Sequence, residues 1–247
     1  MNDKIIAVAG PTASGKSALA LELCKRLDGE LVSLDSMQIY RGLDIGTAKP
    51  TKAEQAEVRH HMIDICAPTE NFSAAEFAER AHKVIADVQS RGKKVVLCGG
   101  TGLYLDTVLG RLDFGEIESD EKLRDELIAF AEKNGAEALH EKLREIDPQA
   151  AEKIHPNNVR RVARAIEIYE LTGKTKTEHD REAISDSPYD SLIIGLDYDD
   201  REVLYNRINR RVDIMIEEGL EGEVRSLVSR GLLSADSTAG QAIGYKE

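Results

Sequence analysis

Gly10-Pro11-Thr12-Ala13-Ser14-Gly15-Lys16-Ser17 fits the pattern G-x-x-x-x-G-K-[ST]. Glycines at its ends let the backbone curl so that successive N–H groups turn inward on an anion. Lys16 brings a full positive charge to a terminal phosphate, and the Ser17 hydroxyl is of the kind that ligates a magnesium ion, Mg2+. The pattern has this meaning only between a strand and a helix. Lys4–Ala9 is apolar and β-branched, as a buried strand is, and Ala18–Leu23 has the residues of a helix. Both halves of the context are present, so the motif reads as a polyphosphate cradle, a P-loop. It does not say which polyphosphate. Other chemistry-bearing residues are Asp35, the pair Arg207 and Arg211 four apart on one helix face, and the basic run Arg160–Arg164.

The elements that must position these residues alternate in type. Glu30–Asp35 reads as a second buried strand, with Asp35 at the carboxyl end, where open α/β sheets gather ligands. A long polar loop, Ser36–Pro50, follows, and loops of that length are commonly functional. A short helix over Lys52–Val58 and a short strand over His61–Ile65 come next. Ser73-Ala74-Ala75-Glu76 is a capping box opening a helix to about Ser90, which Gly92 closes. Lys93–Cys98 is a third buried strand and leads into a second glycine-rich turn, Gly99–Tyr104. Thr101 there has the type and place of a helix N-cap. From Ser119 to Arg181 the pattern is helical without a strand: one helix from Ser119, one over Ala136–Ile146, a short one after Pro148, and one over Asn158–Leu171 stopped by Gly173. Leu192–Asp197 reads as a strand returning to the sheet, followed by helices over Arg201–Glu218 and Leu220–Arg230. The expected fold is α/β: a parallel, helix-covered P-loop core (residues 1–112 and 190–247) with an all-helical insertion domain (113–189).

Bulk properties narrow the classes. The formal net charge is −12, which argues against a nucleic-acid partner for the molecule as a whole. Between Lys153 and Lys176, however, Lys153, Arg160, Arg161, Arg164, Lys174 and Lys176 face only Glu167 and Glu170. A local field of that kind binds phosphate. No stretch approaches the ~20 apolar residues of a membrane span, and a strand so near the start leaves no room for a signal peptide. Cys24, Cys66 and Cys98 are scattered and odd in number, as in a reduced, cytoplasmic protein. The histidines have no metal spacing, and Tyr40 and Tyr104 suit packing. On these residues a small-molecule kinase and a transferase with a diphosphate leaving group both stand. A nucleotide-gated module lacks a second Asp-x-x-Gly switch.

Five blocks in order decide between them: GPTASGKS at Gly10–Ser17, DSMQIY at Asp35–Tyr40, DIGTAKP at Asp44–Pro50, GGTGLY at Gly99–Tyr104, and His155-Pro156-Asn157 followed by Arg160–Glu167. Together with the late Gln241–Lys246 they resemble the tRNA dimethylallyltransferases, also called tRNA isopentenyltransferases. The resemblance implies transfer of a dimethylallyl group from dimethylallyl diphosphate to the exocyclic amine of the adenosine just 3′ of a tRNA anticodon. Magnesium would assist, diphosphate would leave, and ATP would have no part. Relatives that prenylate free adenine nucleotides share much of the core; the basic helical insert favours tRNA. On this resemblance Gly10, Pro11, Thr12, Ala13, Ser14, Gly15, Lys16 and Ser17 cradle the donor, with Ser17 on the metal. Thr12, Lys16 and Arg211 stabilise the leaving diphosphate, Asp35 is the general base, and Ser36, Met37 and Gln38 line the pocket of a flipped adenine. Thr101 stands near that base or its phosphate, and Arg124, Arg160, Arg161, Val162, Ala163 and Arg164 meet the tRNA. A monomer is expected. The family usually continues past this terminus with further basic and aromatic helices, so a C-terminally truncated chain is expected as well.

Overall fold

The computed structural model of the chain describes residues 4–110, 120–182, 187–234 and 237–247. The chain divides into two compact units, Met1–Leu109 with Ser187–Glu247, and Gly110–Asp186. The expected boundary at residue 112 and the helix start at Ser119 lie outside the described residues. The core resumes at Ser187, ahead of residue 190, because this stretch is already tied to the first unit: the Tyr189 hydroxyl bonds His82 Nδ1 at 2.6 Å.

The first unit is built on five parallel strands: β1 Ile5–Ala9, β2 Gly29–Ser33, β3 His60–His61, β4 Lys94–Gly99 and β5 Ser191–Gly195, in the order β3-β2-β4-β1-β5. Central strands of a parallel sheet are covered on both faces and so read as apolar runs. Alternation along β4 shows the two faces. Val95 and Leu97 point into a cluster with Phe77, Ala81, Ile85 and Val88 of helix α3 (Ala74–Ser90), while Val96 and Cys98 pack with Ala20 and Cys24 of helix α1 (Lys16–Leu27). α3 begins at the expected capping box, with Ser73 and Glu76 bonded reciprocally. Tyr40 is fully buried and Tyr104 stacks on Phe77, so both tyrosines pack as expected.

Register matters more than strand count. Cys98 pairs with both Ser33 and Val8, and Ala9 with both Gly99 and Gly195, so the carboxyl ends of β2, β4, β1 and β5 finish level. The loops leaving those ends therefore open on one side of the sheet. Two of them pass so closely that only glycine fits: a Cβ on Gly99 would lie 2.4 Å from the Leu34 carbonyl oxygen.

The strand expected over His61–Ile65 ends at His61. Met62 and Asp64 adopt left-handed φ values of 62° and 55°, which no ladder accepts. The segment instead crosses the loop after β2, where Asp64 N donates to Gln38 O and Ile65 N to Ile39 O. After helix α2 (Lys52–Glu57) and α3, the first unit adds α4 (Gly102–Val108), α10 (Arg201–Glu217), α11 (Leu220–Ser229) and a short turn of tighter helix at Ala239–Gln241.

The second unit holds α5 (Glu121–Asn134), α6 (Ala136–Ile146), α7 (Pro148–Lys153), α8 (Val159–Thr172) and α9 (Lys176–Glu182), the last without an expectation from sequence. Leu139, Leu143, Val162, Ala163 and Ile166 form its core. Asp147 caps α7 at Ala150 and accepts two further hydrogen bonds from Thr177, which anchors α9 to the bundle. No helix among the described residues is long and apolar enough to cross a membrane.

Gly99→Ala should destabilise the protein by about 2 kcal/mol, because backbone and not a flexible side chain must move aside. Gly102→Ala, with nothing within 4 Å of the added Cβ, should stay within about 0.5 kcal/mol of the parent. Urea unfolding of the two variants checks the contrast.

Candidate active site

The loop between β1 and α1 has an anion-receiving conformation. Ala13 and Gly15 both stand at positive φ, 62° and 94°, on either side of Ser14. For alanine that conformation costs about 1 kcal/mol, and such strain gathers at ligand sites. The first turn of α1 carries no acidic residue, so the positive end of the helix is uncompensated. The Ser14 hydroxyl is buried and makes no hydrogen bond. An orphaned buried hydroxyl inside a loop of this shape is a donor awaiting an oxygen acceptor. The Lys16 ammonium, for its part, donates among the described residues to the Pro11 carbonyl alone, at 3.2 Å.

Thr12, Lys16, Ser17, Asp35, Gln38 and Arg211 line one cavity, floored by Cys98, Gly99 and Gly100. Three neighbouring strand ends thus supply the loop, the carboxylate and the floor, and α10 supplies the arginine. Burial pushes the Lys16 ammonium below the usual lysine value; Arg211 adds to the fall and Asp35 opposes it. Burial pushes Arg211 down too, again against Asp35. The Cys98 thiol also opposes the fall at Lys16, but only once ionised; driven up to about 11 by burial, it is neutral at neutral pH. Arg207, the other half of the arginine pair, is exposed and donates its Nε–H to the Ala13 carbonyl at 2.8 Å, bracing the loop from outside.

Asp35 sits just past the end of β2. Its Oδ1 accepts from the amides of Met37 (2.8 Å) and Gln38 (3.2 Å), which fixes the carboxylate plane, while Oδ2 makes no hydrogen bond among the described residues. Thr101 stands at the start of α4, but its hydroxyl does not cap that helix. It accepts instead from the Ser36 amide at 3.3 Å, joining the loops after β2 and β4. The Gln38 side chain is spoken for at both ends: Oε1 accepts from Ser33 Oγ at 3.0 Å, and Nε2 donates to the carbonyls of Thr47 and Ala48, each at 3.2 Å.

The donor set tests the fit of a magnesium ion. No group of three or more His, Cys, Asp or Glu among the described residues is placed to hold a metal. Ser17, exposed at the first turn of α1, offers one hydroxyl. That set suits magnesium, which keeps several waters and is held largely by substrate phosphates.

In the helical unit the expected RNA contacts divide. Arg160 and Arg161 are exposed on α8. Val162 and Ala163 are a correction: both side chains are fully buried in the bundle, because α8 turns that face to α5 and α6. Arg124 and Arg164 also have partners the sequence did not suggest. The Glu167 carboxylate, fully buried, accepts from Arg124 Nε (2.8 Å) and Nη2 (3.0 Å), from Arg164 Nη1 (2.7 Å) and from the Asp120 amide (2.9 Å). Glu167 had counted only as dilution of a basic stretch; its place on the buried face of α8, three residues after Arg164, is the signal that could have found it.

Ser14→Ala should leave the ligand-free protein as stable or more stable, since it removes an unsatisfied buried hydroxyl. The same change should reduce the thermal stabilisation given by inorganic diphosphate with magnesium. Diphosphate affinity should fall as pH rises, starting below the usual lysine range, because the free protein holds Lys16 depressed and only the ammonium attracts the anion. Lys16→Met should flatten that dependence in a calorimetric titration.

A family model described as IPP transferase matches residues 38–247. A tRNA dimethylallyltransferase of Halalkalibacterium halodurans is 52% identical over 248 residues, covering 100% of this chain and 78% of that protein. One of Oceanobacillus iheyensis is 50% identical over 247 residues, with the same two shares. Among solved structures, a full-length tRNA isopentenylpyrophosphate transferase from Bacillus halodurans superposes with a TM-score of 0.68 at 50% identity, covering 99% of this chain and 75% of that one. A eukaryotic dimethylallyltransferase, solved acting on tRNA, reaches 0.80 at 32% identity, covering 99% of this chain and 62% of its own. Sequence identity near one half along the whole chain, with a family model matched from the DSMQIY block to the last residue, shows that this chain belongs to the IPP transferase family.

Proposed function

We propose that this chain transfers a dimethylallyl group from dimethylallyl diphosphate to the exocyclic N6 amine of the adenosine immediately 3′ of a tRNA anticodon, releasing diphosphate. The observation that supports this most directly is the gathering of Lys16, Arg211 and Asp35 on one cavity at the mouth of the P-loop. Breaking an allylic C–O bond spreads positive charge over the allyl carbons and puts negative charge on the departing diphosphate. Preorganised donors aimed at that negative charge lower the barrier. Here they are the loop amides, Thr12, the Ser14 hydroxyl, Lys16 and Arg211. The attacking amine is a poor nucleophile, its lone pair delocalised into the purine. As the C–N bond forms, Asp35 Oδ2 takes the proton, and Oδ1, held by two amides, keeps the carboxylate aimed.

Gln38 and Ser36, on the turn that Asp35 opens, border the space for a base extruded from the anticodon loop; extrusion is least costly for a base already unpaired. Ser17 would hold magnesium, which neutralises charge on the diphosphate when bound. Arg160 and Arg161, exposed on α8, would grip RNA phosphates. Three free cysteines, all buried, fit a reducing compartment, and with a tRNA substrate they support a cytoplasmic reaction.

Incubation with labelled dimethylallyl diphosphate, magnesium and unmodified tRNA should label the tRNA. Label on free AMP instead would favour a nucleotide acceptor, and ATP turnover without label a kinase. Asp35→Ala should keep tRNA binding and lose about 10²–10⁴-fold in rate. Replacing Arg160 and Arg161 together by alanine should weaken tRNA binding and lower the slope of log affinity against log salt by about 1–2, measured by filter binding.

A further inference from the structure

We infer that Glu223 is a positioning residue for the active site, acting through the loop Asp44–Ala48 on Gln38 and the turn that holds Asp35. The inference rests on the function proposed above. Glu223 lies in the first turns of α11, in the part of the core that follows the helical insert. Its carboxylate reaches back across the chain to a loop that has neither helix nor strand to satisfy its backbone. Oε2 accepts from the amides of Asp44 (3.1 Å) and Ile45 (3.0 Å), and Oε1 from those of Ile45 (3.1 Å) and Gly46 (3.4 Å). Three successive N–H groups turned on one carboxylate form an anion-binding concavity. The protein fills it with its own side chain.

A second contact, itself bonded to Glu223, holds the same loop. The Tyr245 hydroxyl accepts from the Gly46 amide at 3.1 Å and donates to Glu223 Oε1 at 2.5 Å. Its ring covers Gly46 so closely that a Cβ there would lie 2.5 Å from the ring edge and 2.9 Å from Leu220. Lys49, its side chain only 3% exposed, ties the following turn to Asp44, Asp64 and the Tyr40 carbonyl.

The restrained loop lines the cavity at Thr47 and Ala48 and is hydrogen-bonded to Gln38. The carbonyls of Thr47 and Ala48 both accept from Gln38 Nε2, and the Gln38 backbone amide donates to Asp35 Oδ1. Release of the loop at Glu223 removes two of the three groups that orient the Gln38 side chain and slackens the turn aiming Asp35. The P-loop shares none of these bonds, although Thr47 and Ala48 line the same cavity as Lys16 and Arg211, so the split between kcat and KM for the donor decides the path.

The test uses the whole chain. Glu223→Ala and Gln38→Ala are made singly and together, with folding checked by circular dichroism. Glu223→Ala is expected to lower kcat for tRNA prenylation by about 10²-fold, the order of loss for a misplacement of about 1 Å, and to change KM for dimethylallyl diphosphate by less than about threefold. In the Gln38→Ala background the same change is expected to cost less than about threefold in kcat, because its route is already cut. Equal losses in both backgrounds, or a loss confined to KM for the donor, overturn the inference. Hydrogen exchange gives a readout independent of turnover: the amides of Asp44, Ile45, Gly46 and Gln38 should all exchange faster in Glu223→Ala. Unchanged exchange at Gln38 overturns the inference even where the loop itself loosens. A wild-type chain that modifies no tRNA refutes the proposed function and leaves the exchange measurement to decide the linkage.

Discussion

Two cations drawn out of water, Lys16 and Arg211, share a cavity with the Asp35 carboxylate and with Glu54, which is exposed and engaged in the Thr51 capping box. Burial of like charges is unfavourable unless a counter-charge arrives, and of the two acids Asp35 is the one whose charge acts on both cations. The rest of the first unit leaves room for a ligand to supply further negative charge. The floor is a neutral thiol, Cys98, where an acid would have balanced the site and closed it to anions. The loop above carries an unsatisfied hydroxyl and a helix end without an acidic residue. A diphosphate completes all of these at once. Charge that grows on the leaving group then meets donors already in place, and reorganisation at the moment of bond breaking is small.

The helical unit applies the same chemistry in the opposite sense. Arg124 and Arg164 meet a buried carboxylate whose every hydrogen bond is internal. A paired and bonded charge of this kind is a fixed structural centre. It aligns α5 and α8 and leaves Arg160 and Arg161 as the exposed cations of that helix. Net charge thus says little about where an acidic chain meets RNA. What matters is which acids are spent inside, and Glu167 is one of them.

Much of this was legible in the sequence wherever the determining contacts are local. The G-x-x-x-x-G-K-S loop, the capping box at Ser73–Glu76 and the stop at Gly173 each depend on residues within a few positions, and each stands where it was expected. The apolar runs of β1, β2 and β4 announced strands covered on both faces, with ends misjudged by one or two residues. Two-residue β3 was overread because its apolar pattern continues while its backbone does not: Met62 and Asp64 turn left-handed to satisfy carbonyls of a distant loop. Arg124 and the Asp120 amide lie 43 and 47 positions from Glu167, and the Asp44–Gly46 amides 177 to 179 from Glu223. No period or propensity encodes such pairs. An acid on a helix reads as solvated until the fold decides otherwise.

That distance in sequence also explains why the core is made in two pieces. The first piece supplies the loop, the base and the floor, which would suffice to bind an anion. The second supplies β5, which extends the sheet beside β1, then Arg211 and Arg207 on α10, then Glu223 on α11 and Tyr245 beyond it. Each addition acts on something the first piece already holds: Arg211 on the cavity, Arg207 on the Ala13 carbonyl, Glu223 and Tyr245 on the Asp44–Gly46 amides. A folded first piece without the second would keep an anion cradle, yet it would lack the second cation and the restraint on Gln38. In this chain the cradle is general and the completion is specific, which is why a motif shared with nucleotide enzymes can serve prenyl transfer.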